Sequence, residues 1–338
     1  MFACLSVAEL EAAGLTTYQI ALAEECCLRR SRRGHYVITR VCADPRHRFI
    51  SALASAQTTH LPKESAGLRK RKEDLRILVR SYARSLPPEA VFSHRSALIV
   101  HGLPIPFFED GETICAETAH PRNAVRRPTM LIRRRQLEPG DTVEVGGVPV
   151  TSVLRTLFDI SRDCPLAFAV AVVDDALRCS LVTLDEFREF CARHPVRTHQ
   201  ARIDAVLDNA DGRRETVAES ICAIRFVEHS IHGFEPQVVI EDEQGEFIAR
   251  TDFADEAAKV IAEFDGAGKY FLDGADPKES FELERRREYA LRNLGYTVFR
   301  ITWADLFAAD VFLRIKDAIS RRTASPAKGL DSRGGSQR

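Results

Sequence analysis

Hydrophobic and polar positions along the first forty residues predict two short helices followed by a hairpin. Ser6 opens a capping-box pattern and predicts the start of a helix that ends at Gly14. A second helix is predicted from Tyr18 to Cys27, and the β-prone run His35–Ile38 follows an arginine-rich turn. Helix, turn, helix and hairpin in this order predict a winged helix-turn-helix domain over residues 1–41.

The next segment changes between the helical and the strand period. Residues 66–84 have the spacing of a basic amphipathic helix, and residues 110–152 alternate apolar and polar side chains as strands do. Further helices are predicted between Val153 and Arg193. We therefore predict a mixed α/β middle domain over residues 42–210, which ends at a turn rich in Asn, Asp and Gly.

The last third of the chain predicts a helix, three strands, a helix, a strand and a final helix. This order is typical of an α/β unit with a central mixed sheet, here over residues 211–320. Residues 321–338 are rich in Ser, Gly, Arg and Lys and predict a disordered tail. The whole chain of 338 residues is thus expected to be an α+β multidomain protein.

Charge is balanced overall but clustered locally. The net charge is −1, yet five arginines and no acid lie between Arg29 and Arg40, and six arginines and no acid between Arg122 and Arg135. Such patches attract a phosphate backbone, although each can also be a solvated face. No apolar run is long enough to span a membrane and no signal peptide is visible, so we expect a cytoplasmic protein without a membrane partner.

The nine cysteines include no C-x-x-C pair, so their spacing argues against a disulfide framework and a zinc knuckle. Reduced thiols packed in cores are expected instead. His94 and His101 are two helical turns apart and resemble a metal pair, but capping or packing is the expected role. Neither a P-loop nor a G-x-G-x-x-G motif after a strand is present, which disfavours nucleotide cofactors.

Acidic residues in the last third have the spacing of a metal site. A strand, turn and strand would bring Asp252 opposite Glu263, and Asp265 would share a strand face with Glu263. Converging carboxylates repel one another without a cation, and Mg²⁺ prefers oxygen ligands. Glu219 on the preceding helix would add a ligand, and Lys269 would stabilise charge on a phosphate or its attacking water. Exposed hairpin charges are the alternative.

The segment from about Glu215 to Ala318 resembles the DUF559 group of the PD-(D/E)XK nuclease superfamily, which is related to very-short-patch-repair endonucleases. The matching residues are Glu219, Arg250–Phe253, Glu263–Gly266, Lys269–Tyr270, Glu284–Glu288 and Leu291–Ile301. The resemblance implies a restriction-endonuclease-like fold and Mg²⁺-dependent DNA hydrolysis, with Asp252 and Glu263 as metal ligands and Glu219 as an auxiliary acid. Arg285, Arg287 and Arg300 are expected to face the scissile phosphate or the DNA backbone; a salt-bridged helix surface is the alternative.

Two positions depart from that pattern. Asp265 stands where the common E-x-K motif has its lysine, and Lys269 stands near the position of a frequent histidine. Either Lys269 supplies the missing cation or the site is degenerate.

The N-terminal segment resembles the winged helix of AbiEi-type antitoxins, through Leu10–Thr16 and Arg33–Val37. The resemblance implies DNA binding and a cognate toxin or other regulatory partner. The expected base contacts come from Thr17, Tyr18 and Gln19, and the phosphate contacts from Arg29, Arg30, Arg32 and Arg33. The alternative is a winged helix that packs against another domain or a protein. Two functions follow: a DNA-binding endonuclease, or a regulator whose nuclease fold no longer cuts.

Overall fold

The computed structural model describes residues 4–47, 50, 67–265 and 277–323. Lys269 and the tail beyond Thr323 lie outside the described residues. The described chain forms two compact units. The first contains the described residues up to Val172 together with Cys179–Asp208, and the second contains Val173–Arg178 and the described residues from Asn209 onward.

The first unit begins with a small sheet and two helices. Its elements are β1 (Cys4–Ser6), α1 (Val7–Ala12), α2 (Thr17–Glu24), β2 (Leu28–Arg32) and β3 (His35–Ile38). The strands are antiparallel in the order β1-β3-β2.

Capping boxes define both helix starts: Ser6 pairs with Glu9 for α1, and Thr16 pairs with Gln19 for α2. The predicted start of α1 is confirmed, whereas α2 ends at Glu24, three residues before the predicted Cys27.

The rest of the first unit surrounds a mixed sheet in the order β6-β7-β5-β4-β9-β8. The strands are β4 (Val91–Phe92), β5 (Ala116–His120), β6 (Val125–Arg127), β7 (Met130–Arg134), β8 (Thr142–Val145) and β9 (Val148–Thr151). The helices are α3 (Leu68–Ala83), α4 (His94–His101), α5 (Val153–Asp163), α6 (Leu166–Arg178), α7 (Leu184–Arg193) and α8 (Gln200–Asn209). The end of α6, Val173–Arg178, and the last residue of α8, Asn209, belong to the second unit. The alternation over residues 110–152 therefore does form strands.

One strand of this sheet is shifted from its prediction. The sequence predicts a strand from Glu112 to Glu117, whereas β5 begins at Ala116 and runs to His120. Every residue of β5 is buried, and Glu117 is held there by an ion pair of 2.8 Å with Arg133. A charged residue such as Glu117 is assigned to the exposed face of a strand when only the sequence is considered. Because Glu117 is buried with a partner, the predicted strand is shifted from the observed one.

The second unit contains α9 (Val217–Glu228), β10 (Glu235–Glu241), β11 (Phe247–Asp255), β12 (Val260–Phe264), α10 (Pro277–Asn293), β13 (Thr297–Ile301) and α11 (Asp310–Thr323). The sheet order is β10-β11-β12-β13; β10, β11 and β12 are antiparallel, and β13 is parallel to β12. The predicted element order and mixed sheet are confirmed. Ile240, Ala249, Ile261 and Leu291 pack in the core on one face.

Residues 321–323 belong to the last helix and so differ from the predicted tail. Among the described residues, no helix is both long and apolar enough to cross a bilayer.

Candidate functional site

Glu219 lies in the first turn of α9 and is buried. Its carboxylate accepts hydrogen bonds from the Glu215 backbone N–H at 2.9 Å, from Thr216 Oγ1 at 2.8 Å and from Gln237 Nε2 at 2.9 Å. Burial and the negative charge of Asp252 raise the pKa of Glu219 in spite of these donors. Glu219 is therefore a well-held carboxylate that faces a second acid.

Asp252 on β11 is that second acid. Its Oδ2 accepts a hydrogen bond of 2.8 Å from the backbone N–H of Phe264 on β12. The antiparallel register pairs Phe253 with Ala262, so the next position along both strands brings Asp252 alongside Glu263, as the strand pattern predicts.

Glu263 on β12 is buried, and two guanidinium groups hold it. Arg287 on α10 pairs with both carboxylate oxygens, and Arg300 on the neighbouring β13 lies 3.8 Å from Oε2. Glu284 completes the set by pairing with Arg287 at 3.2 Å and with Arg300. Two acids and two arginines thus form a group with no net charge.

The pKa of Glu284 reflects this arrangement. Burial would raise the pKa of its carboxyl, but the hydrogen bond from Arg300 and the charge of Arg287 outweigh burial and lower it. Glu284 is therefore ionised at neutral pH and competes with Glu263 for the same arginines.

Asp265 is the remaining described residue of the predicted acidic site. Asp265 follows β12 and donates its backbone N–H to Ile301 at 2.8 Å. In the described part of the chain, Glu219, Asp252, Glu263 and Asp265 do not supply three carboxylate oxygens close enough to share one ion. The Mg²⁺ site predicted on these acids stays a prediction, and in the structure Arg287 and Arg300 hold Glu263.

Of the arginines predicted to face DNA on α10, only one is exposed. Arg285 projects into solvent with its guanidinium 5.6 Å from the ring centroid of Tyr289, whereas Arg287 is half-buried against Glu263 and Glu284.

The predicted base-reading residues lie at the start of α2. Thr17 and Tyr18 are exposed, and Tyr18 is 71% accessible. Gln19 is half-buried, and its Oε1 accepts hydrogen bonds from the Thr16 backbone N–H and hydroxyl at 2.9 and 3.0 Å. Since the cap occupies Gln19, the side chains that remain accessible on this turn are those of Thr17 and Tyr18.

The four predicted phosphate-binding arginines divide into two pairs. Arg29 forms an ion pair of 2.9 Å with Asp74 on α3. Arg32 donates to the Ser81 backbone carbonyl at 2.5 Å and stacks 4.2 Å from the centroid of Tyr82. These two hold the hairpin against α3.

The other pair, Arg30 and Arg33, is exposed on the hairpin. No ion pair to either is found among the described residues.

Four side chains that the sequence pattern did not single out lie together behind α2. The ligand atoms of Cys26, Cys27, Cys42 and His47 all lie within 4.8 Å of one another. Burial and the neighbouring thiols of Cys42 and Cys26 raise the pKa of Cys27 to about 12. A search for C-x-x-C pairs misses this group; the signal for it is the adjacent pair Cys26-Cys27 followed by a C-x₄-H spacing.

His94 and His101 have the expected packing roles. Buried His94 contacts Ser93 Oγ and Asp163 Oδ2, both at 2.9 Å, and His101 Nε2 contacts the Thr151 carbonyl oxygen at 2.7 Å. Each ring is thus oriented by its own partners, and the two do not share a site.

Comparison with known proteins places the chain near two relatives. It is 27% identical over 180 residues to an uncharacterized protein of Mycobacterium tuberculosis strain CDC 1551, and equally to one of strain H37Rv. The similarity covers 53% of this chain and 64% of each relative, so the chain spans less than two thirds of their length. No family profile matches the chain.

Proposed function

We propose that this protein is a DNA-binding regulator that contacts DNA through α2 and the β2–β3 hairpin. The observation that carries the proposal is the exposure of Tyr18 on α2 together with Arg30 and Arg33 on the hairpin. The element order β1-α1-α2-β2-β3 and the sheet order β1-β3-β2 are those expected of a helix-turn-helix with a wing.

The residues of this surface would have two roles, contact with bases and contact with phosphates. Thr17 and Tyr18 begin a helix whose N-terminal turn would enter the major groove. Arg30 and Arg33 would bind phosphates, since their guanidinium groups are exposed and match phosphate geometry. Arg29 and Arg32 would act indirectly, by fixing the hairpin to α3.

The salt dependence of DNA binding tests this assignment. We expect the double variant Arg30→Ala/Arg33→Ala to bind a fluorescent duplex more weakly, with the slope of log Kd against log salt reduced by about 2. The matched control is Arg188→Ala/Arg202→Ala, which removes the same charge from exposed positions on α7 and α8. An equal loss of DNA affinity in both variants would mean that only the net charge matters. No loss of affinity in either variant would refute the proposed surface.

The second unit is best explained as a restriction-endonuclease-like fold used for binding rather than cutting. Arg287 and Arg300 already neutralise Glu263 and Glu284, so a divalent ion at Glu263 would have to displace them. This pairing supports a degenerate nuclease fold, which the E-x-D departure at Asp265 also suggests.

A specific observation favours the endonuclease as a second candidate. Glu219, Gln237 and Asp252 lie together, and Gln237 has a φ of 58°, a backbone conformation that non-glycine residues adopt at a cost. Such strain and buried charge are typical of functional sites.

Supercoiled plasmid incubated with Mg²⁺ or Mn²⁺ separates the two candidates. Cleavage by the wild type that is lost in Asp252→Asn and retained in the turn variant Glu256→Gln would establish the enzyme. Uncut plasmid under all conditions supports the regulator.

A further inference from the structure

The group behind α2 combines two segments that are distant in sequence. Cys26 and Cys27 follow the end of α2, where the Cys27 backbone N–H donates to Ala23 at 2.8 Å. Cys42 and His47 lie beyond β3, in a segment whose turn is fixed by a 3.2 Å hydrogen bond from the His47 backbone N–H to the Asp44 carbonyl. The protein chain thus supplies four ligand atoms from two sides.

Three of the distances between ligand atoms in the group are close to the edges of a tetrahedral zinc site. The sulfur atoms of Cys26 and Cys42 are 3.6 Å apart, and His47 Nδ1 lies 3.4 Å from Cys27 Sγ and 3.3 Å from Cys42 Sγ. Zinc bonds of about 2.3 Å to sulfur and 2.0 Å to nitrogen give tetrahedral edges of about 3.8 and 3.5 Å. The observed separations therefore leave room for one ion with little movement.

The surroundings complete the site. His47 turns Nδ1 toward the sulfur atoms, and its Nε2 lies 3.5 Å from Asp44 Oδ2. A carboxylate behind a metal-bound histidine is the usual arrangement, because it fixes the ring orientation and tautomer. Arg40 donates a hydrogen bond of 2.9 Å to Cys26 Sγ. Three thiolates and Zn²⁺ carry one negative charge, which this guanidinium balances.

The alternatives explain less of the geometry. A disulfide between Cys26 and Cys42 would require the sulfur atoms to approach from 3.6 Å to about 2.05 Å, and it would leave His47 and its carboxylate without a role. A packed group of neutral thiols would explain the burial of Cys27 and Cys42 and could hydrogen-bond His47 Nδ1, but it does not require all four ligand atoms to lie within 4.8 Å of one another.

We propose that this group binds one structural zinc ion through the Sγ atoms of Cys26, Cys27 and Cys42 and through His47 Nδ1. Four protein ligands close the coordination sphere, which is typical of a structural site. A mixed sulfur and imidazole set favours zinc over harder divalent cations. The ion would join the end of α2 to the segment after β3, and this inference does not depend on DNA binding.

Metal content of the full-length protein, purified without chelator, tests the inference. We expect elemental analysis to find about one zinc per chain in the wild type and in the control Cys179→Ser, which alters an exposed cysteine outside the group. Cys42→Ser and His47→Gln should each retain less than about a tenth of that amount. Replacement of zinc by Co²⁺ should give the visible absorption of a tetrahedral, thiolate-bound cobalt ion.

Three results would overturn the inference: no zinc in the wild type even after dialysis against zinc, full zinc in both variants, or an intact mass that shows a Cys26–Cys42 disulfide. If the variants do not fold, the zinc content and cobalt spectrum of the wild type decide the question. A spectrum without thiolate charge transfer would then contradict the proposed ligands.

Discussion

Replacement of Glu263 by glutamine removes the negative charge that Arg287 and Arg300 share in the second unit. A hydrogen bond to a charged group contributes about 1.5–3 kcal/mol, and breaking a fully buried pair costs about 3–5 kcal/mol. The arginine side chains are 24% and 35% exposed and both keep Glu284. We therefore expect Glu263→Gln to lower the free energy of unfolding by about 2 kcal/mol, below the fully buried value.

Urea denaturation followed by circular dichroism measures this change. The matched control is Glu256→Gln, an exposed acid in the turn between β11 and β12, which should change the stability by less than about 0.5 kcal/mol. A double-mutant cycle with Arg287→Gln should give a coupling energy of about 1.5 kcal/mol, because the two side chains are in direct contact.

The opposite sign would refute this reasoning. If Glu263 is a metal ligand held against repulsion by Asp252 and Glu219, removing its charge relieves strain and stabilises the metal-free protein. An increase in stability, or a coupling energy near zero, would mean that the arginines do not hold Glu263 in solution.

Other substitutions test particular contacts in both units. Arg32→Ala should lower stability by about 1–3 kcal/mol in thermal denaturation, because it removes one of the two arginines that hold the hairpin against α3; an unchanged Tm would contradict this. Although burial opposes it, the hydrogen bond from His94 holds the pKa of Asp163 well below its usual value, so this carboxylate stabilises the fold above about pH 4 and the benefit is lost as pH falls. Asp163→Asn should therefore be less stable than the wild type at pH 7, and the difference in the free energy of unfolding should be smaller in urea melts at pH 3. The same difference at both pH values would mean that the charge of Asp163 does not stabilise the fold. Gly233→Ala places a Cβ 2.5 Å from Asp255 Oδ2 at a φ of +96°, so we expect this variant to have a lower Tm than the wild type. A stable, soluble variant with an unchanged Tm would contradict the described turn.

The sequence predicted the secondary structure best where the local pattern of apolar and polar residues is strong. The order of helices and strands after Asn209 follows from short apolar runs such as Val260–Phe264, whose buried residues are consecutive, and from Gly295, which ends the helix before β13. The facing positions of Asp252 and Glu263 also follow, because a short turn leaves the hairpin little choice of register.

Contacts between distant segments could not be predicted in the same way. Arg287 and Arg300 reach Glu263 from a helix and from a parallel strand, and the sequence shows only that all three are charged. Arg32 looks like any exposed arginine of a basic hairpin until Ser81 and Tyr82 of α3 are placed beside it.

The cysteine and histidine group could not be predicted from the sequence either, because it also depends on contacts between distant segments. Cys27 and Cys42 have the burial of ordinary core thiols, and only the folded chain brings His47 against them.

Hydrogen exchange of the full-length protein with and without duplex DNA tests the proposed binding surface most directly. DNA bound through α2 and the hairpin should slow exchange of backbone amides in Thr17–Glu24 and Leu28–Ile38. Amides of α7 and α8, which carry the exposed control arginines, should exchange as before. Binding that leaves Thr17–Glu24 and Leu28–Ile38 unchanged, with protection elsewhere in the chain, would contradict the account.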